Sequence, residues 1–506
     1  MRFVRSSGIL FHPTSLPGAY GIGDLGAEAY EFLRLLVESG QTFWQVMPLG
    51  PTGYGDSPYQ AFSAFAGNPL LVSPDKLVAD GYLDAVPPAP RFPAERVDYG
   101  PVIEFKLALL RDAFDFFQRH ATSAQRDAFH QFCRASAFWL DDYALFMALK
   151  RHHGGEVWSQ WEPEIAARQP AAMQRWSERL RHEIEREKYQ QFLFDQQWSE
   201  LRRAANAQGV RIIGDAPIFV AYDSADVWAH PEMFRLDAVG RPTHVAGVPP
   251  DYFSPTGQLW GNPLYRWDWM ADHGFGWWIE RLRKIFEVVD VVRLDHFRGF
   301  EAYWEVPADE ETAINGRWVQ GPGRALFAAA QQALGELPII AEDLGVITPE
   351  VEALRDECGF PGMKVLQFAF GSGADNPYLP HNYTQHCVVY TGTHDNDTTI
   401  GWFATRDAAE RRAIQEYLAR DGHDIAWDLM RLAHSSVADL AIVPLQDVLR
   451  LGSEARMNTP GRAGGNWGWR LQKGMFTDEL VQHLRDMTRI YGRLPEEEEP
   501  CETPAS

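Results

Sequence analysis

Eight short apolar runs recur along the chain, at residues 8–11, 42–47, 210–213, 288–294, 338–341, 365–370, 388–391 and 439–444, most of them separated by helical patterns. Runs apolar on both faces need cover on both, and alternation with helices supplies that cover and a parallel sheet. Eight such units predict an α/β fold, a (β/α)8 TIM barrel. The segment 27–38 shows the helical unit: Tyr30, Leu33 and Val37 form one stripe, Asp24 stands as a candidate N-cap and Gly40 as terminator.

Two connections exceed what a plain barrel needs. Between the second and third runs, helical patterns at 102–119 and 137–150, the latter closed by Gly154 and Gly155, predict a mainly helical insertion over residues 70–205. Residues 221–285, rich in Pro, Gly, Asp and aromatics, are expected to form a loop-rich insertion over the C-terminal face of the barrel and part of a substrate cleft. The whole chain, 1–506, then reads as one decorated catalytic barrel, with a mobile acidic tail at 494–506 that has nothing to bury.

A formal charge of −22 repels nucleic acid and anionic membrane on average, so neither is an expected partner. Cys133, Cys358, Cys387 and Cys501 lie far apart with no CxxC pair, which suits reduced thiols. The N-terminal apolar stretch is too short for a signal-peptide core and no run reaches membrane-spanning length. A cytoplasmic protein with a neutral partner is expected.

In such a barrel the chemistry sits where strands give way to the following loops. Four predicted strand ends carry carboxylates there: Asp215, Asp295, Glu342 with Asp343, and Asp395. With a period of two, Arg293 and Asp295 share one face while Leu294 points to the helices, and Ile340 shares a face with Glu342. A carboxylate to attack and a carboxylic acid to protonate a leaving oxygen are what glycoside chemistry requires. Arg293 would keep Asp295 ionised as a nucleophile, and the longer arm of Glu342 suits a proton shuttle. His394 and Asp395 could hold sugar hydroxyls, and on local spacing they suit metal ligation as well. Taken singly, a carboxylate after a strand is more often a turn or helix cap; the joint pattern at four ends outweighs that.

Aromatic rings beside hydrogen-bonding groups match a pyranose, with apolar faces and a hydroxylated rim. They cluster in loops around Tyr54, Ser57 and Tyr59, around Asp251, Tyr252 and Phe253, at Trp260, and at Asn466 with Trp467 and Trp469. Single rings such as Trp44 and Trp304 fit core packing better.

PLGPTGYGDSPYQ at 48–60, GVPPDYF at 247–253, RLDHFRG at 293–299, AEDLG at 341–345 and GTHDNDT at 392–398 together closely resemble the amylomaltase (4-α-glucanotransferase) family, a branch of the α-amylase clan. The resemblance runs from about Gly8 to Trp469. It implies a retaining transglycosylase that cuts an α-1,4 bond in a maltooligosaccharide or amylose and passes the glycosyl unit to the 4-hydroxyl of glucose or another glucan. It also implies Asp295 as nucleophile, Glu342 as general acid/base and Asp395 as holder of the distorted ring. Asp215, Arg293, His296 and His394 would bind sugar or tune the nucleophile, and no metal or organic cofactor is implied. A monomer is expected.

The same resemblance places Asp251, Tyr252 and Phe253 in a loop arching over the cleft and Tyr54 in an outlying glucan-binding surface. Where the wider clan has a histidine shortly after its first aspartate, Pro217-Ile218-Phe219-Val220 stand here, in keeping with this branch. The rival readings are a hydrolase of the same fold, a starch-binding protein without turnover and a metal-dependent barrel hydrolase. Transfer and hydrolysis share one covalent intermediate, so an aromatic lid that excludes water and stacks the acceptor would favour transfer. Replacing Tyr252 or Phe253 by Ala is therefore expected to raise the hydrolysis-to-transfer ratio measured on maltotriose; an unchanged ratio removes the lid from the explanation.

Overall fold

The computed structural model describes residues 2–250, 254–462 and 464–495, with Tyr54 described by its backbone alone. Eight parallel strands form the barrel: β1 (Ser6–Leu10), β2 (Phe43–Gln45), β3 (Arg211–Pro217), β4 (Val291–Asp295), β5 (Ile339–Ala341), β6 (Gly362–Val365), β7 (Cys387–Tyr390) and β8 (Leu440–Pro444). Their hydrogen-bonded order is β6-β7-β8-β1-β2-β3-β4-β5. At the β5–β6 seam closure is partly by side chain: Ala341 N–H donates to Pro361 O at 2.9 Å, and Met363 N–H donates to the Asp343 carboxylate at 2.7 Å.

The period of two sorts the strands into two cores. Leu10, Phe43, Ile213, Val291, Ile340, Met363, Tyr390 and Ile442 fill the barrel interior. Their neighbours Ile9, Trp44, Ile212, Val292, Leu294, Ile339 and Val443 pack outwards against the helices. Gly8, two residues before inward-facing Leu10, must be glycine because a Cβ there would stand 2.4 Å from the Phe43 carbonyl oxygen.

All eight strands lie where apolar runs were read, with two shifts. The sixth run, 365–370, touches β6 only at Val365, because Leu366–Phe368 turns into a 3-10 helix and the strand uses Gly362, Met363 and Lys364 instead. β3 continues through Asp215 to Pro217, so Asp215 sits within the strand, held by pairing with β4. The helix Ala27–Glu38 has Gly26 as its N-cap; the Asp24 carboxylate instead accepts from Gly26 N–H and pairs with Lys106.

Between β2 and β3 lie the helices Pro74–Ala79, Tyr99–His120, Ser123–Ala135, Ala137–His152, Pro163–Ala166, Pro170–Arg179 and Arg181–Ala207. The last buries glutamines for a reason: Gln191 accepts from Gly67 N–H and donates to Gly67 O, and Gln197 accepts from Ser73 N–H. These amides satisfy backbone that the loop after β2 could not otherwise bury.

Residues 221–285, expected as loop, hold the strands His244–Val248 and Gln258–Pro263 and three helices. With Ala302–Pro307 and Arg317–Gln320 from the β4–β5 connection they make an antiparallel four-stranded sheet. Asp251, Tyr252, Phe253 and residues 496–506 lie outside the described residues. Among the described residues no helix is long and apolar enough to cross a membrane, and Cys133, Cys358 and Cys387 are free.

Asp343 is buried, pairs with Arg355 at 2.5 Å and supplies the seam acceptor. Asp343→Ala leaves Arg355 only its solvent-exposed pair with Asp356 and leaves the buried Met363 N–H without its acceptor, and a loss of about 2 kcal/mol is expected. The urea midpoint read beside that of Glu342→Gln checks it: an Asp343→Ala midpoint no lower than the control would show that the seam does not depend on this carboxylate.

Candidate active site

The site grows from β4. Its register sets Arg293 opposite Asp215 on β3 and opposite Ile340 on β5, so the next residues along, Asp295 and Glu342, stand at adjacent strand tops. Arg293 is buried and forks between two carboxylates: one terminal nitrogen donates to Asp215 Oδ2 at 2.7 Å, the other lies 2.9 Å from Asp295 Oδ1. Burial alone would weaken its charge, but Asp215 and Asp295 outweigh that and hold its pKa well above the usual guanidinium value.

Asp215 is burdened by the same burial, which pushes its carboxyl up to about 6 despite Arg293. Tyr59 donates its hydroxyl to Asp215 Oδ2 at 2.9 Å, while Oδ1 is buried with no protein donor. The Tyr59 ring lies stacked on His394, 5.1 Å between centroids and 19° between planes. Loop β2, strand β3 and loop β7 are thereby joined.

Glu342 is the most perturbed acid of the group. Burial drives its carboxyl up to about 8, Arg293 opposes the shift, and Asp295 adds to it. It is held in place by backbone: His296 N–H donates to Oε2 at 2.7 Å and Leu344 N–H to Oε1 at 3.1 Å. His296 makes the first of these bonds at φ +54°, a left-handed conformation costly for a non-glycine residue. The His296 ring meets the edge of Trp260 at 4.8 Å, and its Nε2 is buried without a protein partner.

Asp395 is half-exposed at the end of β7. Asn458 donates to its Oδ1 at 2.6 Å, His394 Nε2 lies 3.4 Å from Oδ2, and Arg456 donates to its backbone oxygen. The buried His394 ring is occupied on one face by Tyr59, and among the described residues no group of three or more His, Cys, Asp or Glu side chains is arranged to hold a metal ion.

The structure thus brings together Tyr59, Asp215, Arg293, Asp295, His296, Glu342, His394 and Asp395, with Trp260 at the edge. Ser57 accepts from Tyr59 N–H and shapes its loop. Asn466 spends its side chain on loop backbone, accepting from Thr459 N–H and donating to Arg462 O. The Tyr54 side chain and Asp251, Tyr252 and Phe253 are outside the described residues.

Sequence reading missed Asn458 and Arg456, which reach Asp395 from the loop after β8 with no local pattern to mark them. It also passed over His12, buried just after β1 in a cavity shared with His394 and Arg456. The first polar residue after an apolar run, the signal used at four other strands, marks it.

Arg293→Gln strips the counter-charge from buried Asp215, and a loss of about 3 kcal/mol or more is expected near neutral pH. A carboxyl whose folded pKa exceeds its unfolded one favours the native state when protonated, so the deficit should shrink as pH falls from about 7.5 to 5.5. Urea unfolding at the two pH values checks this; a deficit independent of pH would show that Asp215 is not the group left unpaired.

Residues 11–477 match a family model described as 4-alpha-glucanotransferase. A 4-alpha-glucanotransferase of Thermus thermophilus is 56% identical over 502 residues, covering 98% of this chain and 100% of the relative. One from Synechocystis sp. (strain ATCC 27184 / PCC 6803 / Kazusa) is 53% identical, covering 97% and 98%. The solved structure of an amylomaltase from Streptococcus agalactiae in complex with acarbose superposes with a TM-score of 0.94 at 40% identity, covering 97% of this chain and 100% of that one. The chain described here belongs to the 4-alpha-glucanotransferase family.

Proposed function

We propose that Asp295 is the nucleophile, Glu342 the general acid/base and Asp395 the carboxylate that holds the donor ring in a retaining 4-α-glucanotransferase acting on α-1,4-glucans. The observation that carries this assignment is the contrast between two carboxyls at adjacent strand tops: Asp295 sits against Arg293, and half-buried Glu342 is lifted by desolvation to about 8. Neighbouring strands lie about 4.8 Å apart. That spacing accords with the separation of about 5–5.5 Å at which two carboxyls support double displacement.

In the first half-reaction the Glu342 proton passes to the glycosidic oxygen as Asp295 attacks the anomeric carbon. The C1–O bond breaks, its electron pair stays on the departing glucan, and a glycosyl ester forms on Asp295. In the second, the Glu342 carboxylate takes the proton of the acceptor 4-hydroxyl, whose oxygen displaces Asp295. Two inversions restore the α configuration. Glucose and a further glucan are the proposed acceptors; water reaching the same carbon gives hydrolysis.

Asp215 Oδ1 and His296 Nε2 have no protein partner and, with the His394 imidazole, are the polar groups of this site suited to sugar hydroxyls. Trp260 offers a ring beside His296 for stacking.

Incubation with maltotriose tests the reading: glucose together with longer oligomers means transfer, glucose with maltose alone means hydrolysis. Asp295→Asn and Glu342→Gln are each expected to lose at least about a hundredfold in turnover while still binding glucan. Because Glu342 must enter protonated, kcat/KM should fall as pH rises through about 8. A product of inverted anomeric configuration, or full activity of either variant, would overturn the assignment.

A further inference from the structure

A second cavity, of about 290 Å³, opens between the helix Ala137–His152 of the β2–β3 insertion and the helix Gly276–Val288. Its volume is at the lower end of small-ligand clefts, about 300–1,000 Å³. None of its walls belongs to the carboxylate cluster, yet Ser63 and Phe65 in its floor lie on the loop that carries Tyr59.

The lining is aromatic and organised. Phe65 lies stacked over Trp139 at 6.4 Å and meets Phe138 and Trp277 edge-on at 5.4 and 5.7 Å. Phe138 is 47% exposed although large and apolar, and Trp269 is half-buried. Trp139, only 6% exposed, and Trp277 carry buried indole N–H groups with no protein acceptor.

Of the acidic side chains in the lining three face cations, and buried Asp226 accepts from Ala64 N–H. Asp142 pairs with Arg168 at 2.6 Å, Glu232 lies 3.7 Å from His230, and Glu280 pairs with Arg283. A cleft with rings, spare N–H donors and carboxylates already engaged, three by cations and Asp226 by a backbone N–H, does not call for an anionic ligand. It fits a neutral molecule with apolar faces and a hydroxylated rim. In a protein of net charge −22, polyanions are excluded in any case.

We propose that this cleft is a second α-glucan-binding site, which takes a short stretch of an α-1,4-linked chain by ring stacking and hydroxyl hydrogen bonds away from the catalytic carboxylates. The proposal rests on the reading of the protein as an α-glucan transferase. Its function is to retain long substrate: a chain held here and at the catalytic cleft gains from effective concentration, whereas a trisaccharide cannot bridge the two.

The test is migration of the full-length protein through native gels with and without amylose, alongside turnover of maltotriose. Phe138→Ala and Trp269→Ala should each weaken amylose retardation about fivefold in apparent affinity, the loss of one stacked ring. Maltotriose kcat/KM should stay within about twofold of wild type, since the catalytic interactions are unchanged. Unchanged retardation in both variants overturns the proposal. So does a parallel loss of maltotriose turnover, which would make the cleft a support for the active site. Failure of the wild-type protein to turn over maltotriose would count against the transferase reading, and the gel measurement reads the cleft independently of it.

Discussion

The fork of Arg293 between Asp215 and Asp295 is the constraint around which the upper barrel is arranged. One cation serves two carboxylates inside a protein interior, where an unmatched charge is costly. Satisfying Asp215 draws β3 on past its apolar run; satisfying Asp295 aims that carboxylate at the mouth. Tyr59 adds a hydroxyl to Asp215 and a ring to His394, so the loop after β2 and the end of β7 are fastened to the same guanidinium.

The two acids beside this charge are held in different ways. Asp295 touches the guanidinium directly, whereas half-buried Glu342 is held by two backbone N–H groups. Desolvation then decides its protonation, opposed but not reversed by the more distant cation. The helical insertion contributes through Gln191 and Gln197, which pin the loop that presents Tyr59. Remote packing and local chemistry are thus connected by hydrogen bonds that can be traced one by one.

Much of this was legible in the residues. Strand runs buried on both faces are an intense local signal, and all eight barrel strands lie on or beside one. The shift at β6 arises because Lys364 interrupts the apolar pattern while Leu366 and Phe368 continue it into a turn. The antiparallel sheet was illegible for a different reason. Its strands are contributed by two separate connections, and exposed apolar positions such as Leu259 and Trp318 break any clean alternation. In the site, residues on strands announced themselves by position. Asn458 and Arg456 did not, because they reach Asp395 across more than sixty residues of chain. Asn466 uses its amide on its own loop, and an amide beside aromatic rings looks the same in sequence whether or not it also faces a sugar.

The seam beside β5 has a mechanical corollary. Leu294 O accepts from Glu342 N–H, Glu342 O accepts from Phe297 N–H, and His296 N–H reaches the carboxyl itself, so Glu342 is sewn to β4 on every side that matters. Towards β6 there is no full ladder, only one carbonyl contact and the Asp343 carboxylate. If the barrel wall breathes, it should part at that join, and the two reacting groups would travel together with their mutual spacing intact.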